Sequence, residues 1–149
     1  MPMGPLDDRL FPNYEHFVLA HGRAFRTGPF PDHFACHVSL PKCCFLNAFM
    51  LVTDHSGELR YVAGFASTLG THPSSFLHGW AVDAAGMVVD PTWNGLGTGY
   101  FGVEFDLGYV VRIAKAGRKD GFVGVLDNYR EHWPLLDGRH DDWMPRKRV

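Results

Sequence analysis

The stretch from Pro41 to Val52 constrains this chain more than any other. Phe45, Leu46, Ala48, Phe49, Met50, Leu51 and Val52 leave it apolar almost all round, with no alternation. Such a segment predicts a buried helix, entered at Pro41 and stopped by Asp54-His55-Ser56-Gly57, so the rest of the chain must supply the layer that covers it. Its longest fully apolar run, Ala48 to Val52, is far short of the roughly 20 residues that a bilayer-spanning helix needs. Two cysteines, Cys43 and Cys44, stand where this helix begins, which puts Cys44 in its first turn.

The covering layer reads as a small sheet. Leu59 to Ala66 alternates around Tyr61, Ala63 and Phe65, with Gly64 marking a close approach of another backbone. Phe76 to Asp83 and Met87 to Asp90 are two short β-runs around Ala84-Ala85-Gly86, where Gly86 suits the left-handed position of a three-residue hairpin loop. Tyr100 to Phe105 is a further strand, after a glycine-rich loop over Asn94 to Gly99. Helical spacing marks Pro12 to His21 and Leu107 to Ala116, the latter with Asp106 as N-cap. Phe122 to Leu126 reads as a last strand and Asp127 to His132 as a short helix. Residues 1 to 12 read as an extended arm, and Arg23 to Pro41, broken by Pro29 and Pro31, as a long irregular connection. With 149 residues, 46% of them hydrophobic, the expectation is one α+β domain over residues 1–149, its Cys44 helix packed on an antiparallel sheet.

Charge narrows the function classes. A formal net charge of −2 and a pI of about 6.5 provide no field of one sign for phosphates or anionic lipid, so neither nucleic acid nor a membrane is an expected partner. The run Arg146-Lys147-Arg148 reads as a solvated tail. Residues Met1 to Asp8 lack the cationic stretch and apolar core of a secretory signal. Three cysteines cannot close a disulfide framework, and the neighbours Cys43 and Cys44 are poorly placed to bridge each other. Reduced thiols in the cytoplasm follow as the expectation.

A thiol in the first turn of a helix feels unpaired N–H groups and the positive end of the dipole, which is worth about 0.3–1 kcal/mol. That alone does not make a nucleophile, and a cationic partner is needed. If Ala84, Ala85 and Gly86 form the loop, Asp83 faces Met87 and Trp80 faces Asp90, so His78 and Asp90 lie diagonally on one face. Asp90 then orients one nitrogen of the ring and leaves the other for Cys44, the three-part logic of an activated nucleophile. A two-residue loop would put the two side chains on opposite faces. For the oxyanion of acyl transfer, the Cys44 N–H is one expected donor, with His37 or Ser39 supplying a second. Trp80 and Trp93 are expected to pack around the group and exclude water. The chemistry calls for no cofactor.

Taken together, Cys44-Phe-Leu-Asn-Ala48, Tyr61-Val-Ala-Gly-Phe65, His78-Gly-Trp80 and Asp90-Pro-Thr92 resemble the core of the transglutaminase-like branch of papain-fold cysteine enzymes. The stretches span residues 44 to 92, about a third of the chain. The resemblance implies a papain-like fold, with Cys44 as nucleophile, His78 as general base and Asp90 as its orienter. It selects Cys44 over Cys43, because Ala48 stands four residues on, where the family often packs a small side chain. It departs at Gly79, where the family usually has Ala. The implied activity is hydrolysis of a peptide, isopeptide or glutamine amide through an acyl-enzyme, with transfer to an amine acceptor as the alternative. Each piece also has a plainer reading: cysteines as small core residues, His78 as a satisfied half-buried ring, Asp90-Pro91 as a turn starter. A non-catalytic binding module, stabilised by zinc on His33, Cys36, His37, Cys43 and Cys44, is the rival constellation, although that spacing matches no closed four-ligand pattern.

Overall fold

The computed structural model describes residues 14–35, 39–68, 75–116 and 143–145. Within them the chain is α+β. Helices are α1 (Tyr14–His21), α2 (Cys44–Asp54) and α3 (Leu107–Ala116), with a 3-10 turn at Asp32–Phe34. Strands are β1 (Arg23–Ala24), β2 (Arg60–Thr68), β3 (Phe76–Val82), β4 (Val88–Val89) and β5 (Gly97–Phe105). The expected arm over residues 1–12, the strand over 122–126 and the helix over 127–132 lie outside the described residues, as do Cys36 and His37. Among the described residues no helix is long and apolar enough to cross a membrane.

The five strands form one antiparallel sheet in the order β1-β5-β2-β3-β4. β2 is its middle, with Ala63 opposite Gly79 on one side and Val103 on the other. Gly64 sits against the backbone of Phe101 and Gly102, the close approach expected of it. Past β1, Arg26 bridges Met87 beside β4, so the sheet curls until the two edges meet.

Strand alternation splits the apolar residues between two cores. Tyr61, Ala63, Ala81, Val89, Val103 and Phe105 face the helices and pack with Val18 of α1, Ala48, Leu51 and Val52 of α2, and Val110 and Ile113 of α3. The other face, inside the curl, holds Val62, Ala66, Trp80, Val82, Val88 and Tyr100, closed by Phe25. Burying one such side chain stabilises the fold by about 1.5–3 kcal/mol, so the first, helix-covered cluster carries most of the hydrophobic drive.

Local chemistry sets the element ends. The chain turns at Pro41 and Lys42, with Lys42 at φ 59°, so α2 begins at Cys44 and not at Pro41. Nor is α2 buried all round: Asn47, Ala48, Leu51 and Val52 face inward, and Met50 is exposed. Asp106 caps α3, its carboxylate accepting the Tyr109 N–H at 3.1 Å. The β3–β4 connection is the three-residue loop: the Asp83 and Gly86 N–H groups donate to Met87 and Asp83 carbonyls, each at 3.0 Å. Gly86 adopts φ 82°, a conformation that disfavours any side chain. β5 starts at Gly97, earlier than the expected Tyr100, because Ser67 and Thr68 extend β2 and pair with Gly99 and Gly97 across an irregularity.

Candidate active site

The hairpin register decides where His78 and Asp90 meet. Ala81 pairs with Val89 and Val82 with Val88, which carries Asp90 to the level of Trp80 on the neighbouring strand. Side chains two apart on β3 share a face, so His78 and Trp80 both point into the curl, where they are 2% and 0% exposed. From there His78 Nε2 lies 2.8 Å from Asp90 Oδ2, and both side chains are almost wholly buried.

Asp90 is saturated with donors. Its Oδ2 also accepts the Tyr100 hydroxyl at 2.7 Å. Its Oδ1 accepts the N–H groups of Thr92 at 3.0 Å and Trp93 at 3.2 Å, the Asx-type turn that an Asp-Pro-Thr sequence favours. Burial by itself raises a carboxyl, but His78 by hydrogen bond and charge, then Tyr100 and the Trp93 N–H, overcome it and hold Asp90 below the usual range. Burial and the Asp90 charge in turn push the Tyr100 phenol well above its ordinary value, so it stays a neutral donor.

The nucleophile candidate arrives from the other side of the strand. Phe45 of α2 stands over Gly79, so closely that a Cβ there would lie 2.8 Å from Phe45 Cδ1 and 3.2 Å from its Cα. That contact leaves little room for any side chain at position 79. Among the described residues β4 pairs only with Ala81 and Val82, so no strand there covers the edge of β3 beside His78 and Gly79. The half-buried Cys44 side chain stands near enough to the His78 ring to act on its charge. Because Asp90 occupies Nε2, Nδ1 is the ring atom left for the sulfur.

Burial works against a charge on His78, but hydrogen bonding of the ring to Asp90 and Cys44 and the negative charge of both partners outweigh it. The ring is pushed from 6.5 up to about 9. It is therefore an imidazolium at neutral pH, stacked under Trp93 with ring centroids 3.9 Å apart and planes 20° off parallel. Trp80 lies further off at 6.1 Å, also near-parallel. Both tryptophans thus border the ring, the arrangement that excludes water from it. Beneath the helix, burial, reinforced by the Cys44 charge, keeps the Tyr61 phenol well above its usual range.

The N-terminus of α2 carries no side-chain cap, and Cys44 is its first residue, so the Cys44 N–H has no intrahelical acceptor and remains available to an oxyanion. Ser39 is exposed, and its neighbour Leu40 is gripped by Asn47: Oδ1 accepts the Leu40 N–H, and Nδ2 donates to the Leu40 carbonyl, both at 2.8 Å. Nδ2 also donates to Thr92 Oγ1 at 2.9 Å. Asn47 therefore ties the approach to Cys44, the helix bearing it, and the Asp90 turn into one unit. Cys43 lies just outside the helix as N-cap residue, its carbonyl accepting the Asn47 N–H at 2.8 Å. Of the rival zinc set, Cys36 and His37 lie outside the described residues, and His33 groups with His55 and Glu58 and not with the cysteines.

Two members of this site escape sequence reasoning. For Asn47 the available signal is a polar side chain in an otherwise apolar segment, the mark of a buried group with designated partners. Tyr100 carried none, since a tyrosine in a strand reads as core. A thiol near an imidazolium that a fully bonded carboxylate holds, beside an uncapped helix end, can deliver a nucleophile, a proton donor and an oxyanion donor to one carbonyl. No family model, no curated protein and no solved structure matches the chain.

Proposed function

We propose that the protein is a thiol-dependent acyl-transfer enzyme of the papain-like, transglutaminase-like kind, acting as an amide hydrolase in the reducing cytoplasm. One observation carries the reading: the buried His78 ring is held by Asp90 through Nε2 at 2.8 Å and feels the Cys44 thiol, which helps to raise its pKa. An imidazolium beside the sulfur is the counter-ion that a thiolate nucleophile needs. The Cys44 sulfur attacks the carbonyl carbon of a peptide, isopeptide or glutamine amide, and the C–O π electrons move to an oxyanion facing the Cys44 N–H. His78 gives its proton to the departing nitrogen as the C–N bond breaks. Neutral His78 then takes a proton from water, which attacks the thioester and releases the acid and the thiolate. Asp90, held by Tyr100 and two backbone N–H groups, keeps the ring in place through both steps.

The test begins with alkylation, which needs no knowledge of the substrate. Iodoacetamide at pH 6 is expected to label Cys44 at least about tenfold faster than Cys43, with the advantage lost in His78→Ala. Equal labelling of the two thiols, or an advantage that survives His78→Ala, overturns the reading. On model amides, Cys44→Ala is expected to cut turnover by roughly a thousandfold or more while Cys43→Ala retains it. Stimulation of turnover by an added primary amine distinguishes transfer from hydrolysis.

A further inference from the structure

At the opposite end of α2 from Cys44, three metal-binding side chains converge. His33 comes from the 3-10 turn, His55 is the C-cap residue of α2, and Glu58 lies in the turn that follows. One ligand atom from each lies within 4.8 Å of the others. His33 Nε2 is 3.2 Å and 3.1 Å from the two Glu58 oxygens.

The positions are fixed from both sides. The His55 N–H closes the helix onto Leu51 and Val52, and its carbonyl accepts the Glu58 and Leu59 N–H groups at 2.9 Å, so His55 and Glu58 are held across a single turn. On the other side Phe34 is buried and packs edge-on against both imidazoles, with centroids 4.6 Å from His33 and 4.9 Å from His55. Core anchors therefore hold the backbone, while the His33 and Glu58 side chains remain 60% and 54% exposed and free to adjust.

We propose that His33, His55 and Glu58 form a binding site for a divalent transition metal, zinc above all, separate from the sulfur site. Two imidazole nitrogens and one carboxylate are a donor set suited to zinc, whereas magnesium and calcium require more oxygen ligands than these three side chains present. Tetrahedral ligands at 2.0–2.2 Å stand roughly 3.3–3.6 Å apart, and rotation of the two exposed side chains adjusts the present spacings to that. Three protein ligands leave one coordination position open to solvent. Bound metal would clip the 3-10 turn that carries His33 onto the end of the helix distal to Cys44.

The full chain, stripped with a chelator, is titrated with zinc by calorimetry and followed by thermal unfolding. The expected result is one zinc equivalent that raises Tm, with binding weakened at least about tenfold in His55→Gln and in Glu58→Gln. Binding is retained in Cys43→Ser/Cys44→Ser and is not displaced by excess magnesium. Glu58→Gln alters an exposed side chain and leaves the fold testable even where His55→Gln loosens the helix end. Absence of any zinc-dependent heat or Tm shift overturns the proposal. So does binding that survives both ligand variants, or that vanishes in the double serine variant.

Discussion

Among the described residues the same kind of contact occurs twice, and the two copies could hardly be placed more differently. His78 meets Asp90 at 2.8 Å with side chains 3% and 1% exposed; His33 meets Glu58 at 3.1 Å with side chains 60% and 54% exposed. An exposed pair of this type contributes about 0–1 kcal/mol, because water and salt screen it and two mobile side chains must be ordered. A buried pair gains Coulomb energy but loses hydration, so apolar residues of similar size often serve stability equally well. Stability alone therefore does not account for the buried copy. Asp90 has three further donors aimed at it, and the His78 ring feels a nearby thiol. Polar groups brought together at that cost, at the mouth of an uncapped helix, point to chemistry.

The sharpest way to break the comparison is to cut the buried pair. Asp90→Ala leaves the His78 imidazolium without its counter-charge and leaves the Tyr100 hydroxyl and two N–H groups without an acceptor. Removal of one partner of a buried pair costs about 3–5 kcal/mol, and urea denaturation should register a loss of that size. A loss under about 1 kcal/mol would place the buried pair in the exposed pair's class.

A somewhat smaller effect is expected from pH. The folded-state pKa of His78 is raised from 6.5 to about 9, so its contribution is complete below about pH 6.5 and disappears as pH climbs toward 9. The full change is on the order of 3 kcal/mol. Asp90 is lowered, so its share is present above about pH 4 and is lost as pH falls through the depressed value. Stability measured by urea midpoint should decline on the alkaline side in the wild type and not in His78→Gln. The alkaline limb should survive in His33→Gln. A limb that persists in His78→Gln belongs to some other group.

Much of the buried site was legible because it rests on short-range rules. The loop length at Ala84-Ala85-Gly86 fixes the register, the register fixes which side chains share a face, and His78 and Asp90 follow. Asp106 at the head of α3 is legible for the same reason, since a cap is a local hydrogen bond. What escaped depends on contacts far apart in the chain. Tyr100 reaches Asp90 only because β5 crosses to the far side of β2, and that strand order is set by core packing, not by any local pattern. The start of α2 moved from Pro41 to Cys44 because Lys42 takes a left-handed conformation that few side chains favour. Met50 was read as buried with its neighbours, yet the sheet covers only one side of the helix and leaves that residue 40% exposed. The cluster of His33, His55 and Glu58 joins residues up to 25 positions apart, and no spacing in the sequence marks it.

The smallest expected effect completes the comparison, and its smallness is what makes it informative. Glu58→Gln keeps the size of the side chain and its hydrogen-bonding capacity and removes only the charge facing His33. In chelator-treated protein the change should alter stability by no more than about 0.5 kcal/mol, since the pair stands in water and the amide can still accept from the imidazole. The parallel change at the buried copy, Asp90→Asn, must turn an NH2 toward groups that are themselves donors, because the N–H of Thr92 and of Trp93 faces one oxygen while the Tyr100 hydroxyl faces the other. An unmatched donor pair in the core costs about 1–3 kcal/mol even before the lost charge is counted. Equal costs for the two amides would mean that burial is not what separates the pairs, and the inference from a buried, fully bonded carboxylate to a working histidine would lose its footing.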